Sequence, residues 1–139
     1  MNRVLLDTGP LVAIISEKDH HHDACVEQLR QLTSPLLTCW PVITEAAWLL
    51  RNDLPAVQRM LAGFDVGLMQ ILPLDEQAAP WISNFVTRYV NLGLQLADAC
   101  LVYLAEREGI ETVFTLDHRD FSVYRFGKNK SFTLIPGPA

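Results

Sequence analysis

A chain of 139 residues has the size of one domain, able to bury roughly 68–70% of its unfolded surface, and a single unit over residues 1–139 is expected. Hydrophobic residues make up 50% and charged residues 19%, which excludes a disordered chain, and no apolar stretch nears the ~18 residues of a bilayer span. A net charge of -5 argues against binding nucleic acid through a broad basic surface, unless some of the 16 acidic residues gather around cations that reverse the local field.

Short apolar runs alternate with longer amphipathic stretches, the pattern of βαβ units around a parallel sheet. The first run, Arg3–Leu6, reads as a strand with Asp7 directly behind it. Starting from Met1, it meets that carboxylate too soon for a secretory signal, and a cytoplasmic protein is expected. A helix over Pro10–Ser16 follows, its proline suited to a first turn. His20-His21-His22 suggests a metal site, but adjacent helical side chains point apart, so the triplet reads as the solvated start, after Asp19, of a helix over His21–Leu32.

The second strand is expected over Leu36–Cys39, with helices over Pro41–Leu50 and Ala56–Ala62, and a third strand over Met69–Leu72. Helices over Glu76–Val90 and Gln95–Arg107 come next, the latter closed by Gly109, and strands over Thr112–Thr115 and Phe132–Ile135 complete a set of five. The expected architecture is a three-layer α/β/α domain on a mainly parallel sheet. Cys25, Cys39 and Cys100 are odd in number and without a C-x-x-C pair, so they read as small buried hydrophobes.

The informative residues are carboxylates in apolar settings. Asp98 has Leu94, Leu101 and Val102 three or four places away, and Glu45 has Val42, Trp48 and Leu49, so both are expected on inward faces. Asp98 is placed mid-helix, where aspartate is neither a good helix former nor a cap. A buried carboxylate is normally protonated, paired or bound to metal. Asp7 and Asp117 should emerge at the carboxyl edge of the sheet, where open α/β sheets bind ligands. Each also has a plain structural role open to it: Asp7 as the cap of the helix behind Gly9-Pro10, and Asp117 as the cap of the turn His118-Arg119-Asp120. If the four acids meet, oxygen-only ligation favours a hard cation such as Mg2+ or Mn2+.

Four segments then resemble the motifs of the PIN-domain family, and within it the VapC-type toxins of toxin-antitoxin pairs: Val4-Leu5-Leu6-Asp7-Thr8-Gly9, Pro41-Val42-Ile43-Thr44-Glu45, Leu94-Gln95-Leu96-Ala97-Asp98-Ala99, and Val113 to Phe121. The resemblance implies that Asp7, Glu45, Asp98 and Asp117 are acidic ligands, that Thr8 and Thr115 are supporting hydroxyls, and that Asp120 competes with Asp117 for the place nearer the metal. It also implies Mg2+-dependent cleavage of single-stranded RNA, a homodimer and a cognate antitoxin. A basic cluster after the fourth motif, Arg119, Arg125, Lys128 and Lys130, is a candidate for holding the RNA backbone or a solvated loop. Two other enzyme classes fit less well. Asp7-Thr8-Gly9 is also the signature of aspartic proteases, which need an all-β fold, and an aspartyl phosphatase needs a second Asp where Gly9 stands. A PIN-like binding or scaffold module without catalysis is the non-enzymatic alternative.

Overall fold

The computed structural model describes residues 3–33 and 35–137. Met1, Asn2, Ser34, Pro138 and Ala139 lie outside the described residues.

Each expected apolar run becomes a short strand: β1 (Val4–Leu6), β2 (Leu36–Thr38), β3 (Met69–Ile71), β4 (Thr112–Phe114) and β5 (Thr133–Ile135). All residues of β1 and β2 are buried, so these strands read as unbroken apolar runs rather than alternating ones, as strands covered on both faces do. Among the described residues they form one sheet, parallel throughout, in the order β3-β2-β1-β4-β5. The chain lays β2 and β3 on one side of β1 and then returns to place β4 and β5 on the other. That reversal opens a crevice at the carboxyl ends of β1 and β4, the place where such sheets bind ligands. A parallel sheet with helical crossovers leaves no room for the all-β architecture an aspartic protease requires.

Seven helices accompany the strands among the described residues: α1 (Thr8–Ile15), α2 (His22–Arg30), α3 (Trp40–Leu49), α4 (Leu54–Asp65), α5 (Ala78–Arg88), α6 (Leu96–Glu108) and α7 (His118–Phe121). Local chemistry moves several ends from their expected positions. The Asp53 carboxylate accepts from Ala56 N–H at 3.2 Å, and with Pro55 in the first turn it starts α4 two residues early. Helix α5 stops before a 3₁₀ turn at Val90–Leu92. Asp117 turns His118–Phe121 into a helical turn by accepting from Asp120 N–H at 3.1 Å. Gly109 closes α6 at φ 67°, a left-handed conformation that suits glycine, and its N–H reaches the Ala105 carbonyl.

The core joins the sheet to α1, α3 and α6, and α6 is buried on nearly every side from Ala97 to Ala105. Cys25, Cys39 and Cys100 are buried free thiols, as expected, and burial pushes Cys25 up to about 11 and Cys39 up to about 12. His22 Nδ1 contacts the Ala13 carbonyl at 2.6 Å, and His21 N–H donates to Asp19, so the histidine run serves the start of α2. Among the described residues no helix is long and apolar enough to cross a membrane.

Candidate functional site

The site grows out of strand register. Leu6 pairs with Phe114 and Asp7 N–H continues the ladder to the Phe114 carbonyl at 2.9 Å, so Asp7 and Thr115 emerge side by side just past β1 and β4. The Thr115 hydroxyl donates to Asp7 Oδ2 at 2.7 Å and accepts from Asp117 N–H at 2.9 Å. One fully buried hydroxyl thus orients two acidic residues. Asp7 stands at the N-cap position of α1, yet its side chain makes no capping bond. Asp117 does cap α7, so its structural role is real and coexists with its place in the crevice.

Asp98 arrives from the opposite direction. It lies in the first turn of α6, as the third residue of a helix that begins at Leu96, and not mid-helix; even the expected start at Gln95 puts it within the first turn. Aspartate is favourable there, near the positive end of the helix. Leu94 is exposed, but Leu101 and Val102 are fully buried as expected, and Asp98 itself is 7% exposed. Tyr124 donates its phenol O–H to Asp98 Oδ2 at 2.8 Å. Asp98, Asp117 and Asp120 each bring a carboxylate oxygen within 4.8 Å of the others. The expected choice between Asp117 and Asp120 is therefore not exclusive: α7 presents both.

Glu45 is corrected in orientation. The inward face of α3 is formed by Val42, Ile43 and Ala46, whereas Glu45 is exposed along with Trp48 and Leu49. It still lines the same open cleft of about 420 Å³ as Asp7, Asp98 and Asp117, joined by Gln95 and Leu116. The basic cluster is also redistributed. Arg119 pairs with Asp120 at 3.2 Å, and Arg125 Nη1 donates to the carbonyls of Ser122, Val123 and Tyr124. Lys128 and Lys130 are exposed and make no ion pair among the described residues.

Crowding and burial determine the electrostatics. Burial pushes Asp98 up to about 8, the charge of Asp7 adds to this, and the Tyr124 hydrogen bond opposes it. Burial likewise lifts Asp7 to about 6, against the lowering effect of Thr115, with Glu45 and Asp117 adding repulsion. Among the described residues no Lys or Arg forms an ion pair with Asp7, Asp98 or Asp117. Among the described residues the Thr8 hydroxyl, directly after Asp7 in the chain, is buried without a hydrogen-bond partner. A set of oxygen donors, with no ion-paired base on Asp7, Asp98 or Asp117 among the described residues, fits a hard divalent cation.

Removing the pivot between Asp7 and Asp117 has a definite expected cost. Thr115→Val keeps the shape but leaves both partners unsatisfied in a buried place, so it should lower stability by about 1–3 kcal/mol in urea unfolding. Thr115→Ser should restore most of it. Equal stability of Thr115→Val and the native protein would show that the hydroxyl holds nothing in place.

The PIN domain family model matches residues 4–127. The chain belongs to the PIN-domain family. Ribonuclease VapC26 of Mycobacterium tuberculosis is 29% identical over 138 residues, covering 96% of this chain and 100% of that protein. Among solved structures, Mycobacterium tuberculosis VapC20, a Sarcin-Ricin loop cleaving toxin, matches with TM-score 0.75 at 14% identity, over 84% of this chain and 91% of its own. DNA-bound VapBC from Salmonella typhimurium matches with TM-score 0.63 at 23% identity, over 96% and 97%. Both place this sheet and its helices in the same fold.

Two contributors to this PIN-domain site escaped the sequence: Gln95, which lines the cleft, and Tyr124, which is buried behind Asp98. Gln95 precedes α6 and carries no periodic signal, and Tyr124 reads as one more aromatic of the core. Only the turn after α7, where Tyr124 N–H bonds the Asp120 carbonyl at 3.1 Å, brings that phenol beneath Asp98.

Proposed function

We propose that this PIN-domain protein is an endoribonuclease that cleaves single-stranded RNA with Mg2+, for which Mn2+ substitutes, and that it is the toxin of a toxin-antitoxin pair. One observation carries this: Asp7, Glu45, Asp98 and Asp117, drawn from four distant segments, line one cleft at the β1–β4 crevice, and among the described residues no basic side chain pairs with Asp7, Asp98 or Asp117. The 29% identity to ribonuclease VapC26 supports the choice of RNA as substrate.

Asp98, Asp117 and Asp120 would hold the cation, with Asp7 completing the acidic wall. When bound, it supplies Lewis acidity, polarising the phosphate and easing loss of a proton from water. Thr115 fixes the Asp7 carboxylate, and Tyr124 fixes that of Asp98. Glu45, exposed at the mouth, orients the attacking water and takes its proton as the water oxygen bonds to phosphorus and the bond from phosphorus to a ribose oxygen breaks, that oxygen taking a proton from solvent water. Lys128 and Lys130, which make no ion pair among the described residues, are suited to contact the RNA backbone, each pairing with a phosphate in a salt-dependent way.

The toxin assignment brings a small antitoxin and a homodimer with it. Trp40 and Trp48 are 56% and 63% exposed, more apolar surface than α3 needs for its own packing, and they are candidates for covered surface. Trp81 and Phe85 are not among them: they pack against Tyr103, Tyr89 and Tyr124 in the aromatic cluster.

The purified protein should cleave single-stranded RNA in MgCl2 or MnCl2, stop when EDTA is in excess, and be silenced when co-purified with the product of a neighbouring small gene. Cleavage that persists in EDTA would overturn the metal mechanism. A folded protein that binds RNA but never cuts it, with either cation, would favour the scaffold alternative. Sequencing the 5′ ends of RNA fragments after brief expression would name the target.

A further inference from the structure

We propose that Tyr124 is a positioning residue that makes Asp98 a one-oxygen ligand and thereby sets the preference of the centre for a small, octahedral cation over a larger one. This rests on the metal reading above and goes beyond it in naming what tunes the choice of ion.

The phenol is held firmly behind Asp98. Tyr124 is 1% exposed. Its ring packs against Phe85, Tyr89 and Phe121 at centroid separations of 5.0, 5.0 and 5.1 Å. Behind it, the main chain is tied at both sides: Tyr124 N–H bonds the Asp120 carbonyl at 3.1 Å, and the next N–H, of Arg125, donates to the Tyr89 hydroxyl at 2.9 Å. The hydroxyl therefore cannot swing away from Asp98 without opening the aromatic cluster. Its hydrogen bond to Oδ2, at 2.8 Å, is the side-chain bond that Asp98 makes among the described residues, and Oδ1 is left without one.

A carboxylate pinned in this way is poorly disposed to turn both oxygens toward one ion. Mg2+ needs six ligands in near-ideal octahedral geometry and is content with single oxygens, whereas Ca2+ takes six to eight and is commonly bound by carboxylates through both. Fixing Oδ2 on a phenol thus suits the smaller ion and denies the larger one a ligand. The second-sphere hydrogen bond also holds Oδ1 in one orientation, which is how such contacts raise metal affinity.

The test uses the full chain without RNA. Mg2+ and Ca2+ are titrated by calorimetry, and by thermal melts across each salt, into the native protein, Tyr124→Phe and Tyr103→Phe. Phenylalanine at 124 keeps the ring contacts and removes only the hydroxyl. Tyr103→Phe removes a hydroxyl from the same aromatic cluster, one that packs on Trp81 and takes no part in holding Tyr124 or Asp98. Tyr124→Phe should weaken Mg2+ binding by about 10- to 100-fold while Ca2+ changes much less, so that the ratio of the two affinities shifts toward Ca2+ by at least about fivefold. Tyr103→Phe should keep the native ratio. An unchanged ratio in Tyr124→Phe would overturn the proposal even with the metal reading intact. So would failure of Tyr124→Phe to fold, which would make the hydroxyl a structural one. A native protein that binds neither ion would overturn the metal reading itself.

Discussion

Asp98→Asn is expected to melt at or above the temperature of the native protein in EDTA, while losing most of its RNA cleavage and most of the stabilisation that added Mg2+ brings. The physical reason lies in what each state does with the charge. Asp98 is buried beside Asp7 and pushed up to about 8, so the folded protein resists its ionisation, whereas the unfolded chain ionises freely. Asparagine keeps the shape, can still accept from the Tyr124 phenol, and removes the repulsion. In the absence of metal the gain should reach a few kcal/mol near neutral pH, or several degrees in a melt. With Mg2+ the order reverses, because an ion that binds only the folded state stabilises in proportion to its affinity, and the variant has lost a ligand. Losing even ~3 kcal/mol of transition-state stabilisation corresponds to about a hundredfold in rate. Melts in EDTA and across a Mg2+ series, alongside single-turnover cleavage, decide it. A clear loss of stability in EDTA with an unchanged response to Mg2+ would make Asp98 a structural residue.

The second large effect is on pH. Asp7 and Asp98 both titrate above the usual carboxylate value of 3.8, at about 6 and about 8. Over that window the folded state holds protons that the unfolded state has released, so the stability of the metal-free protein must fall as pH rises. The contribution is fully present below about pH 4 and is lost progressively up to about pH 8, a change on the order of a few kcal/mol. Denaturant unfolding in EDTA at stepped pH should trace this decline. Asp98→Asn should abolish the slope between about pH 6 and 8, which belongs to Asp98 alone, and roughly halve that between about pH 4 and 6, which the two acids share. Saturating Mg2+ at pH 8 should restore much of what is lost, since a cation compensates charges that the protein leaves unpaired. A profile that is flat, or that rises toward pH 8, would show that the crevice is not the electrostatically strained place that its geometry implies.

Much of the frame was legible in residue order. The five apolar runs were readable because a buried parallel strand is a local, continuous stretch, and their expected bounds differ from the observed ones by a residue or so. Asp7 was placed correctly for the same reason, since a residue directly behind a strand has little choice but to emerge at its edge, and Asp117, three residues past β4, is kept near that edge by its N–H bond to the Thr115 hydroxyl. Gly109 was readable because a left-handed cap depends on one residue's own conformational freedom. The helix ends moved wherever a side chain outside the periodic stretch intervened, as Asp53 does at α4.

Helix faces were harder. Glu45 was assigned inward because Trp48 and Leu49 are apolar, but α3 buries Val42, Ile43 and Ala46 and leaves those two large side chains outside. Hydrophobicity shows which residues are able to face a core, and the neighbouring elements select which of them do. Asp98 was rightly expected to be buried, but its description as mid-helix was wrong, because a helix starting at Gln95 or Leu96 puts residue 98 in the first turn, where aspartate is favourable.

What the sequence determined by itself, then, is the α/β class, the order of the strands and helices along the chain, and the placing of Asp7 and Asp117 at strand ends, all consequences of local pattern and short-range sterics. The tertiary structure alone decided the lateral order β3-β2-β1-β4-β5, the pairing of Thr115 with Asp7 across 108 residues, the approach of Asp120 and Tyr124 to Asp98, and the elevated titration of the buried acids. Those features arise from loop closure over long separations and from exclusion of water, and neither leaves a mark on the residues nearby in sequence.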